Sequence, residues 1–368
     1  MNSSGLAKVV EGTTELLVPD TFCRKGPGTR TGEVFYNRQM EFSRDVSIMF
    51  GRAAFSDGQR ILDGLAASGA RGLRLANETG VDAEFVLNDR SLAAAVLMKE
   101  NASMNGLGRV RVLCRDLRAV LSEERFDYID VDPFGTPVEF LNAAVQSCRD
   151  KGTVAVTATD TAPLHGTYPK TCLRRYGASS SRSPFAHETG LRILIGFMVR
   201  EAARHDRACE PLLCYHSDHY FRCYLRIVDG ASRADAAIRK LGYAHFDRRT
   251  LERDLSEERG AKDDAGPLWG GSLMSAALLG RMRATGDLGT SKRCEKSLDV
   301  WKEEASAPPL FYKLDELARL TKHSPPKLAA LMARLREGGH VATRTHIDPK
   351  GFKTDASVTD LVDAFTAC

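Results

Sequence analysis

The chain has 368 residues, 43% of them apolar and 27% charged, with a formal net charge of +4; this is an ordinary globular composition with material for two domains. No apolar run approaches the length of a membrane-spanning helix, no charged-then-apolar export segment opens the sequence, and nine cysteines at irregular spacings read as reduced thiols, not a disulfide framework. A cytoplasmic location is therefore expected, and a nucleic-acid partner would need a local basic face because the overall charge is modest.

Residues 1–58 form a lead-in. Val9-Val10 and Leu16-Leu17-Val18 read as short strands, Arg24-Lys25-Gly26-Pro27-Gly28 as a basic loop, and Met40, Phe42, Val46, Met49 and Phe50 as the apolar side of a helix. From 60 to 160, strands at 60–62, 83–88, 110–114, 126–131 and 153–158 alternate with helices at about 70–79, 91–104, 117–123 and 137–149. That alternation predicts an α/β fold with a Rossmann-like, doubly wound parallel sheet, whose ligands sit at the carboxyl ends of its strands. Residues 161–185 read as a long loop, of a length that is functional or disordered. An apolar helix at about 187–204 and strands at 211–216 and 219–228 follow. The region 229–306 is polar, and Leu251 to Asp264 reads as a solvated helix or a mobile segment. From 307 on, helices at about 314–321 and 327–337 and a strand at 340–345 are compatible with a winged helix-turn-helix. The expected division is 1–228 for the sheet domain with its lead-in and 229–368 for a smaller α+β domain.

The chemistry concentrates at strand ends. Ile61-Leu62-Asp63-Gly64 closes the first strand, and the small residues of Ala67-Ser68-Gly69-Ala70-Arg71-Gly72 open the next helix, where backbone can approach a ligand. Asp89 closes the second strand, one βαβ step on, at the place where such folds bind a ribose hydroxyl. Asp116 closes the third and could bind an adenine amine. Each acid alone reads better as a helix N-cap. Asp63, Asp89 and Asp116 closing three successive strands, with Asp132 closing the fourth, point to one shared site. With no pyrophosphate-cradling glycine loop, that site suits S-adenosylmethionine better than a nicotinamide cofactor. In Asp132-Pro133-Phe134-Gly135 the acid can accept a hydrogen bond from an amine. The proline fixes the turn, and the aromatic offers a face for a base. The plainer reading is a strand end with a proline turn. Cys209, Cys214, His216, His219 and Cys223 cluster in fifteen residues, but they fall in two strands whose alternation sends neighbours to opposite faces. They read as core and strand residues, not as a metal site.

Several stretches then align in order along nearly the whole chain: Phe35-Tyr36-Asn37 with Arg44-Asp45; Leu62 to Gly69; Asp132 to Pro137; Val156 to Asp160; Asp218 to Arg222; Gly266-Pro267-Leu268-Trp269; and Arg344-Thr345-His346 with Gly351 to Thr354. In these the chain resembles the archaeal tRNA (guanine-26, exocyclic amine) dimethyltransferases. The resemblance implies a methyltransferase domain, a C-terminal domain peculiar to the family, S-adenosylmethionine as methyl donor and tRNA as partner. Carried over residue by residue, it implies cofactor contacts at Arg44, Arg71, Asp89, Asp116 and the Leu117 backbone, beside Asp63 of the same strand-end site. It implies Asp132 as catalytic acid, with the carbonyl beside Pro133 as a second acceptor, and Phe35 and Phe134 as the aromatics that hold a flipped guanine. Some members carry paired cysteines that can bind zinc; here 224–293 contains no cysteine, so no metal is expected. Lys350-Gly351-Phe352 departs from the family's more usual Thr-Gly-Ile. The expected activity is transfer of one or two methyl groups to the exocyclic amine of guanine 26. The alternatives are amino-methylation of another tRNA guanine or of adenine, and, from another class, a non-catalytic winged-helix binder, against which the retained acids argue. Phosphate contacts are expected from Arg24, Lys25 and Arg30, from Lys170, Arg174, Arg175 and Arg182, and above all from the C-terminal Lys322, Lys327, Arg334, Arg336, Arg344, Lys350 and Lys353.

Overall fold

A computed structural model of the chain describes residues 5–22, 32 and 34–368; Cys23 and the basic loop with Arg24, Lys25 and Arg30 lie outside them. The chain forms two compact units, Met1–Thr159 with Tyr224–Asp229 and Gly280–Leu298, and Asp160–Cys223 with Gly230–Leu279 and Asp299–Cys368. Among the described residues no helix is long and apolar enough to cross a membrane.

The first unit begins with an antiparallel ribbon, β1 (Leu6–Glu11) and β2 (Thr14–Pro19). Alternate residues Thr14, Leu16 and Val18 of β2 are buried, the period of a half-covered strand. Helix α1 (Glu41–Ala54) follows, then β3 (Arg60–Asp63), α2 (Ala70–Glu78), β4 (Glu84–Asn88), α3 (Leu92–Met104), β5 (Arg111–Leu113), α4 (Leu117–Glu123), β6 (Phe126–Val131), α5 (Val138–Ser147) and β7 (Cys148–Ala158). The strand order is β5-β4-β3-β6-β7, every pairing among them parallel, with Tyr224–Asp229 next to β7. The order reverses between β3 and β6, which places a crevice at their carboxyl ends. The strands are nearly continuous apolar runs because helices cover the faces of a parallel sheet. The edge of β2 is closed by two helix amides. Asn101 of α3 accepts from Leu17 N at 2.7 Å and donates to Leu17 O at 3.0 Å. Asn105 does the same for Glu15, at 2.9 and 2.7 Å.

The second unit contains α6 (Thr161–Leu164), α7 (Pro169–Tyr176), α8 (Ala186–Ala203), β8 (Arg207–Ser217), the start of β9 (Tyr220–Asp229), α9 (Ala231–Ile238), β10 (Leu241–Phe246), β11 (Arg253–Ser256) and β12 (Ala265–Trp269). Helices α10 (Ala276–Arg281) and α11 (Ser291–Glu304) are each divided between the units. Then come β13 (Tyr312–Lys313), α12 (Leu314–Thr321), α13 (Leu328–Glu337), β14 (Ala342–Arg344), β15 (Gly351–Thr354) and α14 (Val358–Thr366). Two three-stranded antiparallel sheets form, in orders β11-β10-β12 and β13-β15-β14. The second lies with α12, α13 and α14 around one apolar core that includes Tyr312, Leu317, Leu331, Leu335, Phe352 and Leu361.

Two expectations are corrected. Residues 161–185 are not one long loop: Pro169 opens a helix, where its missing N–H costs nothing, and Gly177 closes it in the left-handed region at φ +57. Nor is Leu251 to Asp264 a solvated helix, because Arg253–Ser256 is a strand. One of its charges is hidden: the Arg253 guanidinium lies 3.8 Å from the Tyr312 ring centroid and pairs with Glu316 at 3.0 Å.

This unit holds a histidine cluster. The His346 ring sits 2.6 Å from Glu304 Oε2 through Nδ1, while its Nε2 accepts from the His216 backbone N–H at 3.2 Å. The hydrogen bonding therefore assigns the proton to Nδ1. The His216 ring lies tilted against His187, 4.5 Å between centroids, and burial, with the neighbouring His187 and His346, pushes its pKa down to about 3. Asp218 opposes the shift and His165 adds to it. An unfolded chain takes up a proton here that the folded one does not. The stabilisation is thus present above the ordinary histidine pKa of 6.5 and is lost as pH falls toward 3. His216→Phe keeps a ring against His187 and removes the titration; its melting temperature should fall less steeply with acidification below pH 6.5 than the wild type's. Parallel curves in a calorimetric pH series would contradict this account.

Candidate functional site

Strands β3 and β6 end side by side, and what leaves them is close-packed. The N–H of Gly64 donates to Asp130 O at 3.0 Å, and a Cβ on Gly64 would stand 2.9 Å from that same oxygen. The chain then turns through Ala67, at φ +49, and Gly69, at φ +80, into α2. Asp63 Oδ2 accepts from the Gly72 N–H at 2.8 Å at the start of that helix. Burial, and then the charge of Asp130, raise the Asp63 carboxyl well above the ordinary carboxylate range, against the pull of Arg71.

Arg71 organises the crevice. Its guanidinium donates to Asp132 Oδ2 at 2.5 Å and to Ser47 Oγ at 2.6 Å, and lies 3.7 Å from Asp130. Asp130 is fully buried and receives the Tyr128 hydroxyl at 2.7 Å. The second oxygen of Asp132 has no partner among the described residues. Beyond it Pro133 carries the chain into a turn that Thr159 clamps: Gly135 N donates to Thr159 Oγ1 at 2.8 Å, and Thr159 N donates back to Gly135 O at 3.1 Å. The turn holds Phe134 51% exposed, with its ring edge-to-face against Phe35 at 4.5 Å between centroids. A large aromatic held out in this way is more informative than a buried one.

The remaining candidates sit close by in the fold. Asp89 accepts from Ala67 N at 3.0 Å and Ser91 N at 2.9 Å, bracing the turn after β3. Asp116 caps α4, and hydrogen bonds from Arg118 hold its exposed carboxyl down to about 2. Leu117, buried, is the first residue of that helix, so its N–H has no acceptor within the helix. Arg44 is buried, with Nε on Glu11 at 2.6 Å and Nη2 on Asn37 O at 3.0 Å. Glu11 also takes the Tyr36 hydroxyl and Arg74. Burial pushes Glu11 up, but the two arginines outweigh it and hold the carboxyl below its usual range.

Four contributors were not singled out from sequence. Asp130, Ser47 and Thr159 are described above. Asn88 is the fourth: fully buried, its amide donates to Gly64 O at 3.0 Å and Arg115 O at 3.1 Å and accepts from Arg115 N at 3.2 Å, tying together the turns that follow β3 and β5. Its adjacency to Asp89 was the available signal.

The basic candidates of the second unit separate by burial and by the partners they already have. Lys353 is buried between Glu188 at 2.9 Å and Glu304 at 3.1 Å, so it is structural and cannot reach a phosphate. Arg336 is spent on Ala342 O at 2.6 Å, Lys350 pairs with Asp315 at 3.4 Å, and Arg175 pairs with Asp160. Lys170, Arg174, Arg182, Lys322, Lys327, Arg334 and Arg344 are exposed. Among the described residues no group of three or more His, Cys, Asp or Glu is placed to hold a metal.

The chain is similar to known proteins over nearly its whole length. The sequence pattern of the family described as "TRM: N2,N2-dimethylguanosine tRNA methyltransferase" matches residues 12–366. A "tRNA (guanine(26)-N(2))-dimethyltransferase" of Thermococcus kodakarensis is 40% identical, covering 95% of this chain and 96% of its own length. One of the same name from Pyrobaculum arsenaticum is 39% identical, with 94% of each covered. A solved structure, "Complex structure of Trm1 from Pyrococcus horikoshii with S-adenosyl-L-Methionine", superposes with a TM-score of 0.89 at 34% identity, covering 98% of this chain and all of the other.

The Glu11 cluster yields a stability test. Glu11→Ala leaves Arg44, Arg74 and Tyr36 without their shared acceptor, and breaking a buried pair in this way costs about 3–5 kcal/mol. A fall in the urea midpoint worth that much is expected; a loss below about 1 kcal/mol, the range of an exposed pair, would show the cluster to be dispensable.

Proposed function

The chain belongs to the N2,N2-dimethylguanosine tRNA methyltransferase family, and on that premise we propose that it transfers one or two methyl groups from S-adenosylmethionine to the exocyclic amine of guanine 26 in tRNA. The observation that carries the chemistry is Asp132. One of its oxygens is fixed by Arg71 at 2.5 Å, and the other is unengaged among the described residues, two residues before a ring held half in solvent.

The donor set fits the cofactor. Carboxylates close β3, β4 and β6 and cap α4 after β5, an arrangement that repels a pyrophosphate and suits a cationic sulfonium, ribose hydroxyls and an adenine amine. Asp89 is assigned to the ribose, Asp116 and the Leu117 N–H to the adenine, and Arg44, Asp63 and Arg71 to the walls around the methionine part. S-adenosylmethionine supplies the activated methyl group.

The protein's own residues do the rest. A guanine amine is a poor nucleophile because its lone pair is delocalised into the ring. The free oxygen of Asp132 accepts one amine hydrogen, and the carbonyl beside Pro133 accepts the other. Both push electron density toward nitrogen, and the acid receives the departing proton. Proline leaves no competing N–H at this point. Phe134 and Phe35 stack the base once it has left its helix, offsetting the loss of its neighbours. Arg71 holds the Asp132 carboxylate in one orientation, so that placement of the amine, not its basicity, sets the rate. A tRNA substrate supports a cytoplasmic location.

Asp132→Ala should lower methyl transfer to a tRNA transcript by about 100-fold or more, the worth of a general base, while S-adenosylmethionine binding by calorimetry stays near wild type. Retained turnover would remove Asp132 from the chemistry. Phe134→Ala should weaken the transition-state complex by about 1–3 kcal/mol, the worth of one stacked base. That appears as a drop of about five- to 150-fold in kcat/KM for tRNA, and an unchanged kcat/KM would assign the ring to packing.

A further inference from the structure

The second unit holds a cavity of about 520 Å³ that the methyl-transfer site does not use, a volume within the range of sites for small organic ligands. It opens between the 182–184 segment, the turn after β10 and helix α12. Four arginines line it, Arg182, Arg248, Arg249 and Arg319, and all four are exposed at its mouth. Among the described residues none of them forms an ion pair. Arg248 donates to the carbonyl of Arg182 at 2.6 Å and Arg319 to that of Asp315 at 3.0 Å, contacts that orient the side chains without neutralising them. Glu316, the one acid in the lining, is already used twice: it pairs with Arg253 at 3.0 Å and accepts from Lys313 N at 2.9 Å to cap α12.

The interior differs in character. Phe246 forms a wall, its ring set by Phe185 at 5.3 Å and by the Arg253 guanidinium at 5.0 Å from its centroid. Leu251 and Leu320 extend the apolar surface. Ser183 contributes a hydroxyl that is shut off from solvent and has no hydrogen-bond partner among the described residues. The cavity thus calls for a ligand that is planar and largely apolar at one end and multiply anionic at the other. A nucleotide has both properties: its base can stack on an aromatic, and its phosphates match the guanidinium fork. Four cations on three separate chain segments, all at an open mouth, suit a polyanion running across the surface better than one enclosed phosphate group.

We propose that this cavity seats an unstacked nucleotide of the tRNA substrate, with its base against Phe246 and the flanking phosphates on Arg182, Arg248, Arg249 and Arg319. The proposal rests on tRNA being the substrate. It adds a second base-holding point, in the other unit from Phe35 and Phe134.

The test uses the full-length protein with Arg248→Ala/Arg249→Ala and, separately, Phe246→Leu. Affinity for an unmodified tRNA transcript is measured by filter binding across a salt series, beside steady-state methylation, S-adenosylmethionine affinity and thermal unfolding. The double variant should bind tRNA about tenfold or more weakly, with a salt slope shallower by about 2, one unit for each phosphate left without its arginine. The weakening should appear in KM for tRNA and not in kcat. Phe246→Leu should weaken binding about fivefold or more with the salt slope unchanged, the mark of missing stacking. Unaltered cofactor affinity and melting show that the units are intact. Should Phe246→Leu melt early, the double variant decides alone, since its side chains are exposed. Wild-type affinity and slope in the double variant overturn the proposal. So does a cavity that binds adenosine monophosphate, releases it in the double variant and leaves tRNA affinity untouched, because the occupant is then a free nucleotide. A wild-type protein that methylates no tRNA refutes the proposed function instead, and the tRNA-binding comparison still judges the cavity.

Discussion

One guanidinium holds two carboxylates, and the crevice depends on it. Asp130 and Asp132 point from the end of one strand within reach of Arg71, with Asp63 adding a third acid from the neighbouring strand. Left alone, three carboxylates at the junction of two parallel strands would repel one another in a poorly solvated space. Arg71 relieves this from the first turn of α2, and Ser47 from α1 fixes it from the far side. Helix, strand end and lead-in helix are thereby joined through one side chain. The same contact that makes the acids tolerable leaves one Asp132 oxygen available.

The surroundings keep that point rigid by local means. Thr159 clamps the turn carrying Phe134, Asn88 ties the turns after β3 and β5, and Asp89 braces the turn before α2. Each uses a short polar side chain against backbone, the economical way to fix a turn whose own N–H and C=O groups lie outside the sheet's ladder. A site assembled from strand ends inherits its precision from the sheet, and these residues extend that precision a few ångströms past it.

The sheet and most of the strand-end acids were legible in the sequence because both are one-dimensional signals. A strand covered on both faces is a continuous apolar run, and Asp63, Asp89, Asp116 and Asp132 interrupt such runs at their ends. What was not legible depended on partners far along the chain. Arg253 looked solvated because Glu316 and Tyr312 lie some sixty residues away. Lys353 looked like a phosphate ligand because Glu188 and Glu304 are remote in sequence. Asp130 was absorbed into its strand, since a buried acid among apolar neighbours has no linear signature once a tyrosine two residues before it supplies the hydroxyl. Arg44 was marked by resemblance, and its engagement with Glu11 was visible only once the ribbon was seen to fold back onto α1.

The paired amides of α3 have a metric consequence. Residues four apart on a helix are separated by about 6 Å along its axis, and residues two apart on a strand by about 6.6 Å. Asn101 and Asn105 therefore meet Leu17 and Glu15 as a gauge of nearly matching pitch. A strand slid by one residue would turn toward β1 the N–H and C=O groups that the amides expect, and both pairings would fail together. The helix thus reads out the phase of β2, and with it which residues the ribbon turns inward, among them Glu11, the anchor of Arg44.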